Sequence, residues 1–425
     1  MIEIRPAKIK YCEISVPGSK SYTHRILIAS ALSGGICSID NALKSEDTLI
    51  TISALQQMGI KIDPVDNRFI VHGANGEFEH TKEPVFLGNS GTSMRLMTAL
   101  ASLGKGRYVF TGTERMKERP IQDLLDALIQ MGVSAHSVNN NGCPPVAIKG
   151  GDLKGGKITI NCETSSQYLS AVLMIAPFTK PFNKQGLEIN VQKGPVSRPY
   201  IDMTVDVMKK FGIDITRDEY NYFKVQQGQT YQAGSYYVEP DCSQAGYFWG
   251  AAAITGACIK VKEITKISHQ GDVYFTRLLE EMGCRVLYEK DGISVTGGSL
   301  LAVEADMSDM PDMVPTFAVV SAFAKGTTVI KNVKHLKLKE SDRLTSVTNE
   351  LSKMGIEAKL TDTGLVIKGG IPHGAEISTY KDHRIAMSFA IAGLKVPGIF
   401  IKDEKCVEKS FPDFWNVFSS FRFMA

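Results

Sequence analysis

The sequence lacks several features that mark other protein classes. Lys and Arg total 48 against 45 Asp and Glu in 425 residues, and only two residues are tryptophan. A formal net charge of +3 gives no global field for nucleic acid or an anionic membrane. So few tryptophans also disfavour base stacking. We therefore expect no nucleic-acid partner, and any anion binding to be local.

The eight cysteines lack the spacing of a metal site or a disulfide framework. No Cys-x-x-Cys pair and no His-x-x-x-His pair occurs. This usage indicates reduced thiols and disfavours zinc. We expect no metal ion and a cytoplasmic location.

Long apolar runs are missing as well. "YLSAVLMIAPF" at 168–178 and "FAVVSAFA" at 317–324 are shorter than the roughly 20 residues of a membrane-spanning helix, so they predict buried helices. The first 16 residues, "MIEIRPAKIKYCEISV", alternate like a strand and do not resemble a signal peptide. No membrane association is expected.

The first glycine lies in "VPGSKSYTHR" at 16–25, which resembles a phosphate loop. The nucleotide-binding loop needs a second glycine five positions earlier, where this chain has Glu13. An ATP or GTP site is therefore not supported. A turn with Lys20 and Ser21 at a helix start can hold an anion. A capped helix with exposed charges fits these residues equally well.

Glycines reveal a repeat of about 70 to 80 residues. Helical patterns end at Gly59, Gly132, Gly212, Gly283 and Gly355, and a second set ends at Gly35, Gly106, Gly186, Gly256, Gly326 and Gly398. Glycine follows helices as a left-handed cap, and hairpin patterns with Asp66-Asn67, Asp291-Gly292 and Thr363-Gly364 turns follow. We predict six α/β units, three to a domain, in two similar domains facing a cleft. Expected bounds are 1–18 plus 234–425 and 19–233, with hinges near 18 and 234.

Polar clusters recur before or at predicted helix starts, where free N–H groups and the helix dipole favour anions. Two of them, "KDHR" and "LKESDR", place Arg beside acidic residues. A surface ion pair contributes only about 0–1 kcal/mol to stability, so stability alone does not explain why these charges are clustered. The clusters are "GSKSYTHR" (18–25), "GNSGTSMR" (88–95), "RMKERP" (115–120), "SSQ" (165–167), "SRPY" (197–200), "PDM" (311–313), "LKESDR" (338–343 with Leu338 first), "KDHR" (381–384) and "EKSFPD" (408–413).

Taken in order, these clusters resemble those of the 5-enolpyruvylshikimate-3-phosphate synthases, over essentially the whole chain. The resemblance implies six βαβαββ units in two domains, an inside-out α/β barrel of the enolpyruvyl transferase type. It implies transfer of enolpyruvyl from phosphoenolpyruvate to the 5-hydroxyl of shikimate 3-phosphate, in aromatic amino-acid biosynthesis. No metal or organic cofactor is expected, and we expect a monomer.

The resemblance also implies site residues. Shikimate 3-phosphate would contact Lys20, Ser21, Arg25, Ser165, Ser166, Gln167, Ser197, Tyr200, Asp312, His335 and Lys339. Phosphoenolpyruvate would contact Lys20, Gly91, Arg119, Gln167, Arg343, Arg384 and Lys409. Proton transfer would fall to Lys20, Asp312 and Glu340. Arginine suits the donor because its planar fork matches carboxylate and phosphate.

Two positions depart from the family's commonest pattern: Leu96 follows the Met-Arg motif in place of proline, and His335 stands in place of asparagine. Two alternatives remain open. A sister enzyme transfers enolpyruvyl to UDP-N-acetylglucosamine with a loop cysteine, but "RMKERP" contains none. An RNA-phosphate-processing protein on related repeats would need basic stripes with aromatics.

Overall fold

A computed structural model describes residues 1–66, 68–180 and 186–420 of the chain. It divides into two compact units. The central unit comprises Gly18–Val238, and the split unit comprises Met1–Pro17 and Glu239–Ala425. Each unit has its own hydrophobic core.

Two short strands open the chain, and the central unit follows. The opening strands are β1 (Ile2–Ile4) and β2 (Tyr11–Ile14). The central strands are β3 (Ile36–Asp40), β4 (Ile62–Val65), β5 (Arg68–His72), β6 (Val85–Phe86), β7 (Gly106–Thr111), β8 (Ser134–Ser137), β9 (Val146–Gly150), β10 (Gly156–Asn161), β11 (Leu187–Lys193), β12 (Ile215–Asp218), β13 (Tyr222–Val225) and β14 (Ser235–Tyr237). The central helices are α1 (Lys20–Leu32), α2 (Glu46–Gln57), α3 (Gly91–Leu100), α4 (Gln122–Gln130), α5 (Gln167–Ile175) and α6 (Pro199–Lys210).

The remaining elements belong to the split unit. Its later strands are β15 (Cys258–Lys262), β16 (Arg285–Glu289), β17 (Gly292–Thr296), β18 (Glu304–Asp306), β19 (Thr327–Lys331), β20 (Glu357–Leu360), β21 (Leu365–Lys368), β22 (Ala375–Ile377) and β23 (Ile399–Ile401). Its helices are α7 (Cys242–Thr255), α8 (Phe275–Glu281), α9 (Val314–Ser321), α10 (Arg343–Lys353), α11 (His383–Gly393) and α12 (Phe414–Ser420). Short 3-10 helices include Met116–Glu118, Gly271–Tyr274, Pro311–Met313, Lys334–Leu338 and Glu404–Lys409.

Six small sheets carry the predicted repeat. In the central unit their orders are β14-β3-β5-β4, β6-β7-β9-β8 and β10-β11-β13-β12. In the split unit they are β2-β15-β17-β16, β18-β19-β21-β20 and β1-β23-β22. The four-stranded sheets share one pattern, in which a parallel strand flanks a middle strand and an antiparallel hairpin follows. The predicted α/β repeat is therefore confirmed, although no sheet closes into a barrel within the described ranges.

The predicted hairpins are present as β4-β5, β16-β17 and β20-β21. Asn67, in the first predicted turn, lies outside the described residues. The first set of repeat glycines all adopt the left-handed conformation, with φ between 78° and 102°. These glycines follow helices, as predicted from their spacing.

The strand predicted over the first 16 residues is divided in two. β1 pairs with β23, whereas β2 pairs with β15 in a different sheet. Pro6 lies between them and lacks the N–H that a continuous ladder needs. The first strand of the chain therefore completes the last sheet.

The apolar runs form buried helices, as predicted. Every residue of α9 is buried, and α5 is buried from Tyr168 to Ile175. Among the described residues, no helix combines the length and apolar character needed to cross a bilayer.

Candidate active site

The polar clusters lie at helix starts, as predicted. Ser19 and Ser90 cap α1 and α3, and each hydroxyl accepts a backbone N–H of the first turn. Asp342 and Asp382 cap α10 and α11 in the same way. Pro199 occupies the first position of α6. These starts direct free backbone N–H groups and the positive helix dipole toward the adjoining residues.

The first glycine of the chain makes a close contact instead of forming a nucleotide loop. A Cβ on Gly18 would lie 1.8 Å from the carbonyl oxygen of Asn41, so a larger residue does not fit. The Asn41 side chain also donates to Val238 O at 2.8 Å. Asn41 thus contacts both ends of the central unit: Gly18, two residues before Lys20, and Val238.

Lys20 lies at the first position of α1 with a partner that the sequence analysis did not assign. Its Nζ is 3.1 Å from a carboxylate oxygen of Asp47, in the first turn of α2. The carbonyl of Asp47 in turn accepts the hydroxyl of Ser93 in α3, at 3.4 Å. The starts of α1, α2 and α3 are therefore linked.

Arg25 is buried and binds only neutral oxygens. Its guanidinium donates to the carbonyls of Ser21 and Tyr200 at 2.9 Å each and to the hydroxyl of Thr204 at 2.8 Å. A longer contact of 3.4 Å reaches Ser170 in α5. Burial lowers the pKa of Arg25 to about 10, so it stays charged at neutral pH. The contacts bring together Ser21, Arg25 and Tyr200, three of the predicted site residues.

Arg119 and Arg95 form a second cationic group in the central unit. Arg119 donates to the carbonyl and side-chain oxygens of Asn89, at 3.1 and 3.2 Å. Arg95 donates to Pro120 O at 2.6 Å, and burial together with Arg119 lowers its pKa to about 10. A Cβ on Gly91 would lie 2.4 Å from a guanidinium nitrogen of Arg119. Glycine at this position therefore leaves space for the arginine.

The remaining predicted residues of the central unit lie on the neighbouring helix starts. Gln167 begins α5 and donates to Thr92 Oγ1 at 3.2 Å, next to Gly91. Ser165 accepts the N–H of Gln167 at 3.2 Å, and Ser166 is buried. Ser197 is buried with φ 56°, and its carbonyl accepts the N–H of Tyr200.

In the split unit, Arg343 is bound by three carboxylates. Its Nη1 lies 2.8 Å from Asp312, its Nη2 2.8 Å from Glu340 and its Nε 2.8 Å from Asp382. The side chain is 1% exposed. Burial opposes its charge, but the carboxylates of Asp382, Glu340 and Asp312 outweigh burial and raise the pKa of Arg343.

Asp312 joins the two arginines of this unit. One carboxylate oxygen binds Arg343 and the other binds Arg384 at 2.7 Å. Burial would raise the pKa of Asp312, yet Arg384, Arg343 and Lys339 together hold it far below its usual range. Arg384 also donates to the hydroxyl of Tyr247 in α7, at 3.3 Å. We call Asp312, Glu340, Arg343, Asp382 and Arg384 the carboxylate–arginine cluster.

Three predicted residues lie near this cluster in the chain or in the fold. His335, in the short helix Lys334–Leu338, is buried, and burial together with the charge of Lys339 lowers its pKa to about 3. It is therefore neutral at pH 7. Lys339 directly follows that helix. Lys409 is buried at the end of the helix Glu404–Lys409, which packs against α11.

A buried acid in this unit was not predicted. The carboxylate of Asp272, in the helix Gly271–Tyr274, accepts a hydrogen bond from Ser243 in α7. Burial, followed by the negative charge of Asp312, raises the pKa of Asp272 to about 7. Ser243 and Tyr247 are one turn apart on α7. This helix therefore contacts both Asp272 and Arg384.

The two units differ in chemistry. The central unit supplies buried guanidinium groups whose partners are neutral, which suits the binding of anions. The split unit supplies arginines in contact with ionised carboxylates, which combines anion binding with acceptors for protons. The unassigned residues Arg95 and Asp382 lie within the predicted clusters at 88–95 and 381–384, so their position in the repeat was the available signal, whereas Asp47 lies at the start of α2 outside all of the predicted clusters. Asp272 has no such motif.

Comparisons with known proteins agree with this fold. A family model described as EPSP synthase (3-phosphoshikimate 1-carboxyvinyltransferase) matches residues 6–418. A 3-phosphoshikimate 1-carboxyvinyltransferase of Syntrophobacter fumaroxidans is 42% identical over 424 residues, 99% of each chain. One of Methanothermobacter thermautotrophicus is 40% identical over 402 residues, covering 94% of this chain and 93% of the relative.

A solved structure is also similar. The EPSP synthase of Acinetobacter baumannii superposes with a TM-score of 0.82 and 28% sequence identity, covering 98% of this chain and 97% of that one. The likeness therefore extends over both units.

Proposed function

This chain belongs to the EPSP synthase family, and we propose that it transfers enolpyruvyl from phosphoenolpyruvate to the 5-hydroxyl of shikimate 3-phosphate, releasing phosphate. It is an enzyme, a transferase of the shikimate pathway in aromatic amino-acid biosynthesis. At the level of residues, the observation that carries the proposal is the sharing of Asp312 between Arg343 and Arg384.

Binding of the donor is assigned to a set of mainly cationic groups. Arg343 and Arg384 offer guanidinium planes that match carboxylate and phosphate oxygens. Arg119 has no carboxylate partner among the described residues, so it retains charge for an anion. The full proposed set for phosphoenolpyruvate is Lys20, Gly91, Arg119, Gln167, Arg343, Arg384 and Lys409.

Binding of the acceptor is assigned to a second set. Buried Arg25 holds Tyr200 and Ser21 in place and contributes charge toward a phosphate ester. Neutral His335 can both donate and accept a hydrogen bond. The full proposed set for shikimate 3-phosphate is Lys20, Ser21, Arg25, Ser165, Ser166, Gln167, Ser197, Tyr200, Asp312, His335 and Lys339.

The reaction needs both a base and an acid. The 5-hydroxyl loses its proton as its oxygen bonds to the enol carbon, while the methylene carbon gains a proton. A proton then leaves that methyl group as the C–O bond to phosphate breaks. We assign Asp312 as the base for the hydroxyl, and Lys20 and Glu340 to the protons of the donor.

Donor binding would also activate the base. Without ligand, Asp312 is a weak base because two guanidinium groups stabilise its charge. An anion that binds Arg343 and Arg384 neutralises part of that positive charge, which raises the pKa of Asp312. Proton abstraction is thereby coupled to occupancy of the donor site.

The test is phosphate release from phosphoenolpyruvate with shikimate 3-phosphate or UDP-N-acetylglucosamine as the acceptor. We expect release with the shikimate ester alone. Phosphate release with the UDP sugar but not with the shikimate ester, or no release with either acceptor, would contradict the proposal.

We further propose that the enzyme acts as a monomer in the cytoplasm. All eight cysteines are free thiols, which suits a reducing compartment. Sedimentation at the mass of a single 46.5 kDa chain is expected, and a stable dimer would contradict the monomer.

A further inference from the structure

A fully buried carboxylate, Glu350, lies outside the carboxylate–arginine cluster and is not among the residues assigned to the reaction. It belongs to α10, the helix that begins at Arg343. Seven residues separate the two, which is close to two helical turns, so both side chains extend from the same face.

Glu350 binds the segment that leads into α11. Its Oε2 accepts the backbone N–H of Ser378 at 3.0 Å, and its Oε1 accepts the hydroxyl of Tyr380 at 2.7 Å. Lys353 donates to both oxygens, at 2.8 and 2.7 Å, and to the hydroxyl of Ser378 at 3.2 Å. Glu350 and Lys353 together therefore join α10 to residues 376–380, since Lys353 also donates to Glu376 O at 3.5 Å.

The segment held by Glu350 has a strained backbone. Tyr380 and Lys381 have φ of 54° and 55°, the left-handed region, which side chains disfavour. Two consecutive residues of this kind persist only where their surroundings hold them. Glu350 supplies that restraint on the N-terminal side.

The strained segment places the residues of the cluster. Asp382 follows directly, and its N–H binds Thr379 O at 2.8 Å. The Asp382 carboxylate then accepts Arg343 Nε at 2.8 Å and the backbone N–H of Arg384 at 3.0 Å. The helix α10 therefore binds this segment twice, at Arg343 through Asp382 and at Glu350 through Ser378 and Tyr380.

We infer that Glu350, with Tyr380, is a positioning residue that sets the placement of Arg343 and Arg384 for the enolpyruvyl donor. It does not contact substrate in this scheme and acts through the 378–382 segment. The inference rests on the proposed function, since the donor is assigned to these arginines.

The primary test is Tyr380→Phe, which removes one hydroxyl from a side chain that is 40% exposed. The matched control is Tyr288→Phe in β16, where a 38% exposed tyrosine loses a 3.1 Å hydrogen bond to Thr276. We expect the KM for phosphoenolpyruvate to rise about tenfold in Tyr380→Phe, as for loss of a hydrogen bond to a charged group. The KM for shikimate 3-phosphate should change by less than about twofold.

Glu350→Gln extends the test. It should raise the KM for phosphoenolpyruvate at least as much as Tyr380→Phe does. The double variant Glu350→Gln/Tyr380→Phe should have the same donor KM as Glu350→Gln alone, because both substitutions break the same hydrogen bond between Tyr380 and Glu350. Because Tyr380→Phe retains the buried carboxylate of Glu350, it tests the inference even if Glu350→Gln fails to fold.

A donor KM in Tyr380→Phe equal to that of Tyr288→Phe, with only a lower Tm, would reduce Glu350 to a structural residue and overturn the inference. Absence of turnover in the unaltered enzyme with both substrates would instead remove the proposed function, and the inference with it.

Discussion

Buried arginines are stabilised in opposite ways in the two units. In the central unit, Arg25, Arg95 and Arg119 contact carbonyls, hydroxyls, an amide oxygen and a thioether. No carboxylate of the described residues pairs with them. In the split unit, Arg343 binds three carboxylates, and Arg384 binds one of them, Asp312. Burial lowers the pKa of Arg25 and Arg95, whereas the carboxylates raise the pKa of Arg343.

This difference separates two tasks. The guanidinium groups of Arg25, Arg95 and Arg119 can attract anions without displacing a carboxylate of the described residues. In the split unit an incoming anion competes with carboxylates, and the competition changes their basicity. We therefore expect variants of the central arginines to change mainly substrate affinity, and variants of the carboxylate–arginine cluster to change both donor affinity and proton transfer.

The largest expected effect is on catalysis in the split unit. Asp312→Asn keeps the shape of the side chain but removes the proposed base, so kcat should fall by about 10²–10⁴-fold. Steady-state phosphate release measures it. The control is Asp291→Asn, at a 72% exposed carboxylate paired with Lys260, which should retain activity. A kcat within tenfold of the unaltered enzyme would contradict the assignment.

Stability should distinguish the two kinds of arginine next. Arg343→Met removes the buried guanidinium that contacts three carboxylates and should cost about 3–5 kcal/mol of unfolding free energy. Arg25→Met leaves only neutral groups and should cost about 1–3 kcal/mol. Urea unfolding measures both.

The tryptophans make the readout selective, because Trp249 and Trp415 both belong to the split unit. Their fluorescence therefore follows unfolding of the split unit in Arg343→Met, and circular dichroism follows unfolding of Arg25→Met. Equal shifts in the two variants would remove the distinction between the units.

A smaller effect is expected for Gly91→Ala in the central unit. The added methyl group would lie 2.4 Å from Arg119 Nη2 and displace its guanidinium. We expect the KM for phosphoenolpyruvate to rise about tenfold, equivalent to roughly 1.4 kcal/mol. Gly34→Ala is the control, since its nearest neighbour would be 3.9 Å away. An unchanged donor KM would show that Arg119 does not bind the donor.

The last expected difference is a pH dependence of stability that arises in the split unit. Asp272 has a folded pKa of about 7 against an ordinary 3.8, so its contribution to stability is complete below pH 4 and is lost as pH rises through 7. His335 has a folded pKa of about 3 against 6.5, so its contribution is present above pH 6.5 and is lost as pH falls. Between pH 4 and 6.5 the two oppose each other.

Single variants separate these two contributions. Relative to the unaltered enzyme, Asp272→Asn should gain stability with rising pH and His335→Gln should lose it, by up to about 1.4 kcal/mol per pH unit. Urea midpoints followed by tryptophan fluorescence at pH 4.5 and 6.5 measure the slopes. Parallel pH profiles for all three proteins would contradict this origin.

Much of the fold followed from local patterns. Glycine spacing predicted the repeated units because a helix cap and a hairpin turn need only neighbouring residues. The pairing of β1 with β23 could not be predicted in this way, since no local feature of Ile2–Ile4 selects a partner some 400 residues away. The break at Pro6 was visible, and it was missed because alternation was read across it.

The candidate site likewise contains residues that the sequence predicted and residues that it did not. Arginines and lysines at helix starts were predictable because helix starts favour anions. The acidic residues of the site were less predictable, because Asp47 contacts Lys20 and Asp272 contacts Ser243 only through the packing of separate helices. The roles proposed for the site residues remain predictions.

The placement of β1 and β2 has a consequence for biosynthesis. Residues 18–238 leave the ribosome as one uninterrupted block, whereas the sheet β1-β23-β22 needs strands from both ends of the chain. Domains fold as they are completed during translation. The central unit should therefore become protease-resistant on nascent chains that expose residues 18–238, whereas β2 can pair once β15 has been made and β1 must wait for β23.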